Sequence, residues 1–379
     1  MIVFVQDLFV QDYVGGGELT TQAIIEATKI PILTVHSQKV TKQIIDQHKD
    51  KYWIFGNCAG LPNDIILYAC KNLNYTVIEY DYKFCSYRLV EKHIASEGKC
   101  DCQNSQRGKL FSVFFAKANN LWFMSAAQRQ IYYDLFPFLD KSSTRVLSSV
   151  FNNQTIEYIN SLDQNNKDDV WLIQDSSSWV KGSNKAVEYA IQKEIPYETF
   201  SGVEYSAMLK KFSKAKGFIF LPEGSDTCPR TVIEAKLLGC ELVLNDNVQH
   251  KNEDWFTGSR KDALEYLQGR ADIFWSETYK HMGNKVPQMH EEPEDTRFKI
   301  IIPVYNSEKW ISRTIESVQD QKYRNYECYI SDDMSTDNTF QAAQSVTKED
   351  KFNVVRCLSK KYALKNIYDT ILESKPSPE

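Results

Sequence analysis

The chain has 379 residues, 42% of them hydrophobic and 25% charged, with Lys and Arg totalling 45 against 50 Asp and Glu. At roughly 150 residues per domain this length points to more than one globular unit, and the apolar fraction excludes disordered, collagen-like and small disulfide-scaffold classes. A formal charge of −5 supplies no global basic field for nucleic acid or an anionic membrane, so no nucleic-acid partner is expected.

The first ten residues, MIVFVQDLFV, are apolar but interrupted by Asp7 and preceded by no basic segment. They read as a buried strand rather than a signal peptide. The next segment, QDYVGGGELTTQAIIEA, places Gly15, Gly16 and Gly17 ahead of a helix over Leu19–Ala27 with Glu18 in its first turn. Successive glycines let backbone approach a ligand closely. The dinucleotide fingerprint G-x-G-x-x-G fails, because Thr20 stands where its last glycine belongs. The runs YWIFG, YTVIEY and LWFMS follow as strands, alternating with helical patterns at Asp64–Asn72 and Ala126–Phe136. That alternation marks a parallel sheet covered by helices, which sets the first domain at residues 1–139.

Within it, FCSYRLVEKHIASEGKCDC groups Cys85, His93, Cys100 and Cys102. Three thiols and an imidazole match tetrahedral zinc in number and type, although the spacing is not that of a standard finger or ribbon. A structural zinc and free reduced cysteines are the two readings. The other cysteines stand mostly alone in apolar contexts, so reduced thiols and no structural disulfides are expected.

A second domain at 140–285 repeats the pattern, with strands VWLIQ, GFIFLP and ELVLN and helices at Asn184–Lys193, Glu204–Ala215 and Pro229–Leu238. Residues 286–296 are polar and acidic with two prolines, a linker composition. A third unit opens at 297 and runs to 379, with strands KIIIPV and ECYISDD. No stretch approaches the roughly 18 to 20 apolar residues that span a bilayer, so no transmembrane segment and a cytoplasmic location are expected.

The third unit carries the most specific text: Pro303, Tyr305 and Asn306, then Ser317 and Gln321, then Asp332, Asp333, Ser335, Asp337 and Thr339. This series resembles the opening of family 2 glycosyltransferases of the GT-A fold. The resemblance implies that Pro303, Tyr305, Asp332 and Asp333 bind a nucleotide. The family's metal-binding D-x-D lies beyond the matching text and is absent before Glu379, so the unit is expected to be incomplete and non-catalytic, with Mg or Mn expected only in a complete GT-A domain.

In the second domain, GFIFLPEGSDTCPRTVIEAKLLGCELVLND offers an acid in a loop, Asp226, and another in the following helix, Glu234, then Ala235 and Gly239. It resembles the donor-binding half of family 4 glycosyltransferases of the GT-B fold, with Asp226 replacing the usual glutamate. The resemblance implies that Asp226 and Glu234 serve catalysis and donor orientation, with Glu223, Gly224, Ser225 and Thr227 around the sugar and phosphate. Lys181, before Gly182, corresponds to that family's diphosphate lysine, and Arg230 could replace its missing arginine. Gly15 to Gly17 and Glu18 sit where the GT-B acceptor-side half has its glycine loop.

The fold class expected is therefore α/β, two Rossmann-like domains in a GT-B arrangement followed by a partial GT-A domain. The implied activity is hexosyltransferase-type transfer from a UDP- or GDP-linked sugar to a hydroxyl of a glycan, lipid-linked or protein acceptor, with no cofactor required by the GT-B part. A non-catalytic sugar-nucleotide-binding scaffold is the alternative. A dehydrogenase is disfavoured by the missing glycine fingerprint.

Overall fold

The computed structural model describes residues 1–282, 297–321, 323, 325–347 and 350–373. The expected linker at 286–296 lies outside the described residues. The chain divides into two compact units, Met1–Val286 and Pro287–Glu379.

The first unit holds two fully parallel sheets. One has strands β1 (Ile2–Gln6), β2 (Ile32–His36), β3 (Tyr52–Phe55), β4 (Asn74–Glu79), β5 (Asn120–Phe123) and β6 (Thr144–Val146), in the order β2-β1-β3-β4-β5-β6. Strands β1, β3 and β5 are buried along their whole length. That is why they read as continuous apolar runs: a parallel strand covered by helices on both faces has no side to give to water. In register, Val3 stands between Leu33 and Trp53.

The second sheet consists of β7 (Asp168–Gln174), β8 (Tyr197–Phe200), β9 (Ala215–Phe220) and β10 (Glu241–Leu244), in the order β10-β9-β7-β8. Gly217 in β9 is dictated by packing, since a Cβ there would stand 2.3 Å from the Trp171 ring. In each sheet the opening strand lies between its second and third, so the order reverses beside β1 and beside β7. Ligands of open α/β sheets bind at the carboxyl ends of strands flanking such reversals.

The first sheet runs past the expected boundary at 139, because β6 pairs with β5 through Leu121 opposite Thr144. The helix Arg270–Tyr279 returns to the first sheet as well: the Trp275 indole donates to the Ile24 carbonyl at 2.9 Å, and Phe274 meets Trp122 at 5.3 Å. One apolar core joins Ile2, Phe4 and Trp122 of the first half to Phe218, Ile233 and Phe274 of the second. Two Rossmann-like sheets joined in this way, with a cleft between them, form the GT-B arrangement.

The second unit is a parallel sheet of β11 (Phe298–Val304), β12 (Tyr326–Asp332) and β13 (Phe352–Arg356), in that order. Ile311 and Ile315 of the helix Glu308–Gln319 cover it together with Cys328, Ile330 and Ala343. This is the β/α pattern that opens a GT-A domain. Among the described residues, no helix is long and apolar enough to cross a membrane.

Candidate functional site

A cleft of about 900 Å³ lies between the two sheets of the first unit. Its walls include Gly15, Gly16, Gly17 and Glu18 from the loop and helix after β1, and Lys181, Asp226, Thr227, Arg230 and Glu234 from the second half. The structure thus gathers nine of the sequence-selected residues around one space, beside the chain reversals of both sheets.

The glycine loop works by close approach and not by unusual dihedrals. Gly15, the residue before the helix Gly16–Glu26, is extended at φ −127°. A Cβ there would stand 2.6 Å from a Glu18 carboxylate oxygen, and one on Gly16 would stand 3.3 Å from Arg230 Cβ. Gly16 therefore lets the first half lie directly against the helix Arg230–Leu237. Burial raises the Glu18 carboxyl, while its backbone hydrogen bond and the Arg88 guanidinium oppose the rise. Beneath the loop, Thr21 Oγ1 donates to Gln6 at 2.5 Å and lies 2.7 Å from the Tyr80 hydroxyl, a buried network that fixes the helix on the sheet.

On the opposite wall, Lys181 ends a short 3₁₀ turn, Trp179–Lys181, and Gly182 follows at φ +63°. A Cβ on Gly182 would lie 1.9 Å from the Leu221 carbonyl oxygen, so only glycine lets this turn pack on the segment after β9. That packing brings Lys181 Nζ to 2.9 Å from Asp226 Oδ2. Asp226 is itself fixed by its backbone, donating to Asn247 O at 2.8 Å and accepting from Gln249 N at 3.1 Å. Thr227 Oγ1 donates to the Tyr80 carbonyl at 2.7 Å, tying this wall to the first half.

At the cleft floor Arg230 and Glu234 form an almost fully buried pair, 2.9 Å from Nε to Oε1. Tyr205 Oη also donates to Glu234 Oε1, at 2.6 Å, and Arg230 Nη1 donates to the Val150 carbonyl at 2.6 Å. The guanidinium lies over the Phe151 ring at 3.7 Å. Burial raises the Glu234 carboxyl and Arg230 opposes that rise. Arg230 is thus an internal brace beneath the cleft, its donors already engaged, instead of a free partner for phosphate.

Three selected residues lie apart from the cleft lining. Glu223 pairs with Lys185. Ser225 Oγ donates to Glu91 Oε1 at 2.5 Å, and a Cβ on Gly224 would meet Glu91 Cβ and Leu89 Cδ2 at 3.2 Å. The loop after β9 therefore turns its first part toward the segment around Leu89–Glu91 and only its second part toward the cleft. The family resemblance instead groups Glu223, Gly224, Ser225 and Thr227 around one ligand, and the structure separates the first three from it.

Two cleft residues were missed. Tyr205 carries no local signal, since its value lies in reaching Glu234. Gln174 is the last residue of β7, and its buried Oε1 has no hydrogen-bond partner among the described residues. Its place at a strand's carboxyl end beside a reversal was the signal available to find it.

In the second unit the selected acids are engaged by the chain. Asp333 accepts from the Lys361 and Tyr362 N–H groups at 2.6 and 2.8 Å, anchoring the start of the helix Tyr362–Glu373. Asp332 Oδ1 accepts from Ser335 N at 3.1 Å, and Arg356 Nε stands 3.4 Å from Oδ2. Pro303 lies within β11 opposite Ser331, and the exposed Tyr305 ring carries Lys360 Nζ at 3.6 Å. Asn306 adopts φ +49°, tolerable for Asn, and its Oδ1 accepts from Thr336 N at 2.8 Å.

Residues 299–365 match the family model of glycosyl transferase family 2. An uncharacterized glycosyltransferase of Rickettsia felis is 46% identical over 57 residues, 15% of this chain and 9% of that protein. The GalNAc(5)-diNAcBac-PP-undecaprenol beta-1,3-glucosyltransferase of Campylobacter jejuni is 32% identical over 54 residues, 14% of this chain and 18% of that protein. The matches thus span less than a fifth of these curated relatives. Among solved structures, Anabaena HepE in complex with UDP and glucose aligns with a TM-score of 0.45 at 10% identity, over 75% of this chain and 92% of that one. WaaG, a glycosyltransferase involved in lipopolysaccharide biosynthesis, aligns with a TM-score of 0.42 at 12% identity, over 75% and 95%.

Proposed function

We propose that the chain is a glycosyltransferase that binds a nucleotide sugar in the cleft of its first unit and transfers the sugar to a hydroxyl acceptor. The observation that carries this reading is the cleft itself, which joins the strand ends at both chain reversals, a glycine loop and a lysine held by a carboxylate. In this reading the nucleoside lies against β7 and β8, where Gln174 Oε1 offers an unused acceptor to a base or ribose donor. Lys181 takes the diphosphate. Its exchange from Asp226 to phosphate frees that carboxylate for the sugar hydroxyls.

Glu234 then orients the donor from below. With Oε1 committed to Tyr205 and Arg230, a ribose contact falls to Oε2. Stabilisation of the leaving diphosphate comes from an ammonium and from backbone N–H groups at the start of the helix Arg230–Leu237. The second unit contributes family 2 sequence whose acids serve its own turns, so the first unit is assigned the donor.

The test is isothermal titration of the full chain with UDP, GDP, UDP-glucose and GDP-mannose, with and without magnesium. Binding that persists without magnesium and weakens in Gln174→Ala and Lys181→Ala supports the cleft. Loss of binding only on magnesium removal, or only in Asp332→Asn, moves the donor to the second unit. No binding of any nucleotide favours a scaffold with degenerate transferase domains.

A further inference from the structure

The cluster of Cys85, His93, Cys100 and Cys102 has no part in the donor reading, and its geometry is that of a site built around an ion. All four ligand atoms lie within 4.8 Å of one another. Cys85 Sγ stands 3.8 Å from Cys100 Sγ and 3.6 Å from His93 Nδ1, and Cys102 Sγ stands 3.3 Å from the same nitrogen. Tetrahedral zinc, with Zn–S of about 2.3 Å and Zn–N of about 2.0 Å, requires S···S edges of about 3.8 Å and S···N edges of about 3.5 Å. A disulfide would use two of the thiols and give the third and the imidazole no cause to converge.

The surroundings are those of ligands held ready. His93 Nε2 lies 2.9 Å from Glu97 Oε2, a carboxylate partner that places the proton on Nε2 and leaves the Nδ1 lone pair for a metal. The Ser86 N–H and hydroxyl both lie 3.5 Å from Cys102 Sγ, donors suited to a thiolate. Gly98 ends the helix Val90–Glu97 at φ +80° and turns the chain back toward His93. Gly108 admits the Cys102 carbonyl, which a Cβ would approach to 1.9 Å.

We propose that Cys85, His93, Cys100 and Cys102 bind one structural zinc ion, which holds the segment 85–102 against the loop that carries Gly224 and Ser225. Four protein ligands leave no open coordination position, so the ion is structural and not catalytic. The three-thiol, one-imidazole set selects zinc over hard oxygen-seeking cations such as Mg²⁺ and Ca²⁺. Its mechanical outlet is Glu91, on the same helix as His93, which accepts from Ser225 Oγ at 2.5 Å. The metal thereby fixes one wall of the loop whose far end carries Asp226.

Elemental analysis of the full chain, expressed with added zinc and passed over a chelating resin, is expected to give one zinc per chain. Cys100→Ser and Cys102→Ser lose it, while Cys70→Ser, at a half-buried cysteine away from the cluster, keeps it. Cobalt added to metal-stripped protein is expected to produce the intense visible bands and thiolate charge-transfer band of a tetrahedral site, a readout that needs no variant to fold. Absence of both zinc and cobalt binding overturns the proposal. So does zinc that survives both serine substitutions, or a Cys85–Cys100 disulfide found by non-reducing mass spectrometry.

Discussion

The two acid-bearing loops of this protein reverse the order in which their sequences would rank them. Asp332 and Asp333 lie in the most specific motif of the chain, yet one caps two backbone N–H groups and the other holds a turn and faces Arg356. Asp226 and Glu234 lie in a far weaker motif, yet they wall a cleft of about 900 Å³. A motif records residue types suited to a strand end; availability depends on whether the surrounding backbone already claims the carboxylate. In the first unit the cations Lys181 and Arg230 meet the acids, whereas in the second unit backbone N–H groups engage both acids.

The largest expected effect breaks the first member of this pair. Arg230→Ala leaves Glu234 buried without its cation, and should cost roughly 3–5 kcal/mol in urea unfolding. Arg230→Met with Glu234→Gln should recover much of that loss, which separates the brace from any direct role at the ligand.

Next in size is an acid transition rooted beside the cleft loop. His250 is fully buried, faces Trp255 and Phe256, and has neither ring nitrogen bonded among the described residues. Burial lowers its pKa to about 3. The unfolded chain therefore binds the extra proton first, so stability present above about pH 6.5 is lost as the pH falls toward 3, on the order of 4 kcal/mol across that window. His250→Phe should flatten this part of the stability profile measured by denaturant titration between pH 7 and pH 4.

Asp333→Ala in the second unit should cost about 1–3 kcal/mol, by leaving the Lys361 and Tyr362 N–H groups without their acceptor. Hydrogen exchange at those two amides should quicken. The smallest effect sharpens the comparison from the functional side. Lys181→Ala removes a partly exposed ion pair and should shift stability by less than about 1 kcal/mol, while weakening nucleoside diphosphate binding about tenfold in calorimetry.

The strands missed in the sequence share one physical trait. β2, β6, β8 and β13 escaped notice, and each is a sheet edge, whereas the edges β10 and β11 were read because their LVL and IIIPV runs stay apolar. An edge strand has one neighbour and is often half exposed, so TRV in β6 and YETF in β8 show no apolar run to detect. Central strands such as YWIF are buried throughout and announce themselves. The helices Leu19–Ala27 and Ala126–Phe136 were legible within three residues of their observed starts at Gly16 and Ala126. At the site, glycine and acid positions were readable because they follow strands directly. The division of the loop at Glu223–Thr227 was not, because it depends on Glu91, more than a hundred residues earlier in the chain.

The returning helix Arg270–Tyr279 bears on how the protein is made. Its Phe274 and Trp275 cover Trp122 and Ile24, residues that leave the ribosome long before it does. At about 5–20 residues per second, the patch on the first sheet stays uncovered for roughly 8 to 30 seconds after Trp122 is synthesised. During that interval the nascent chain presents an apolar surface that chaperones can recognise, and a ribosome stalled before residue 270 would leave it bare.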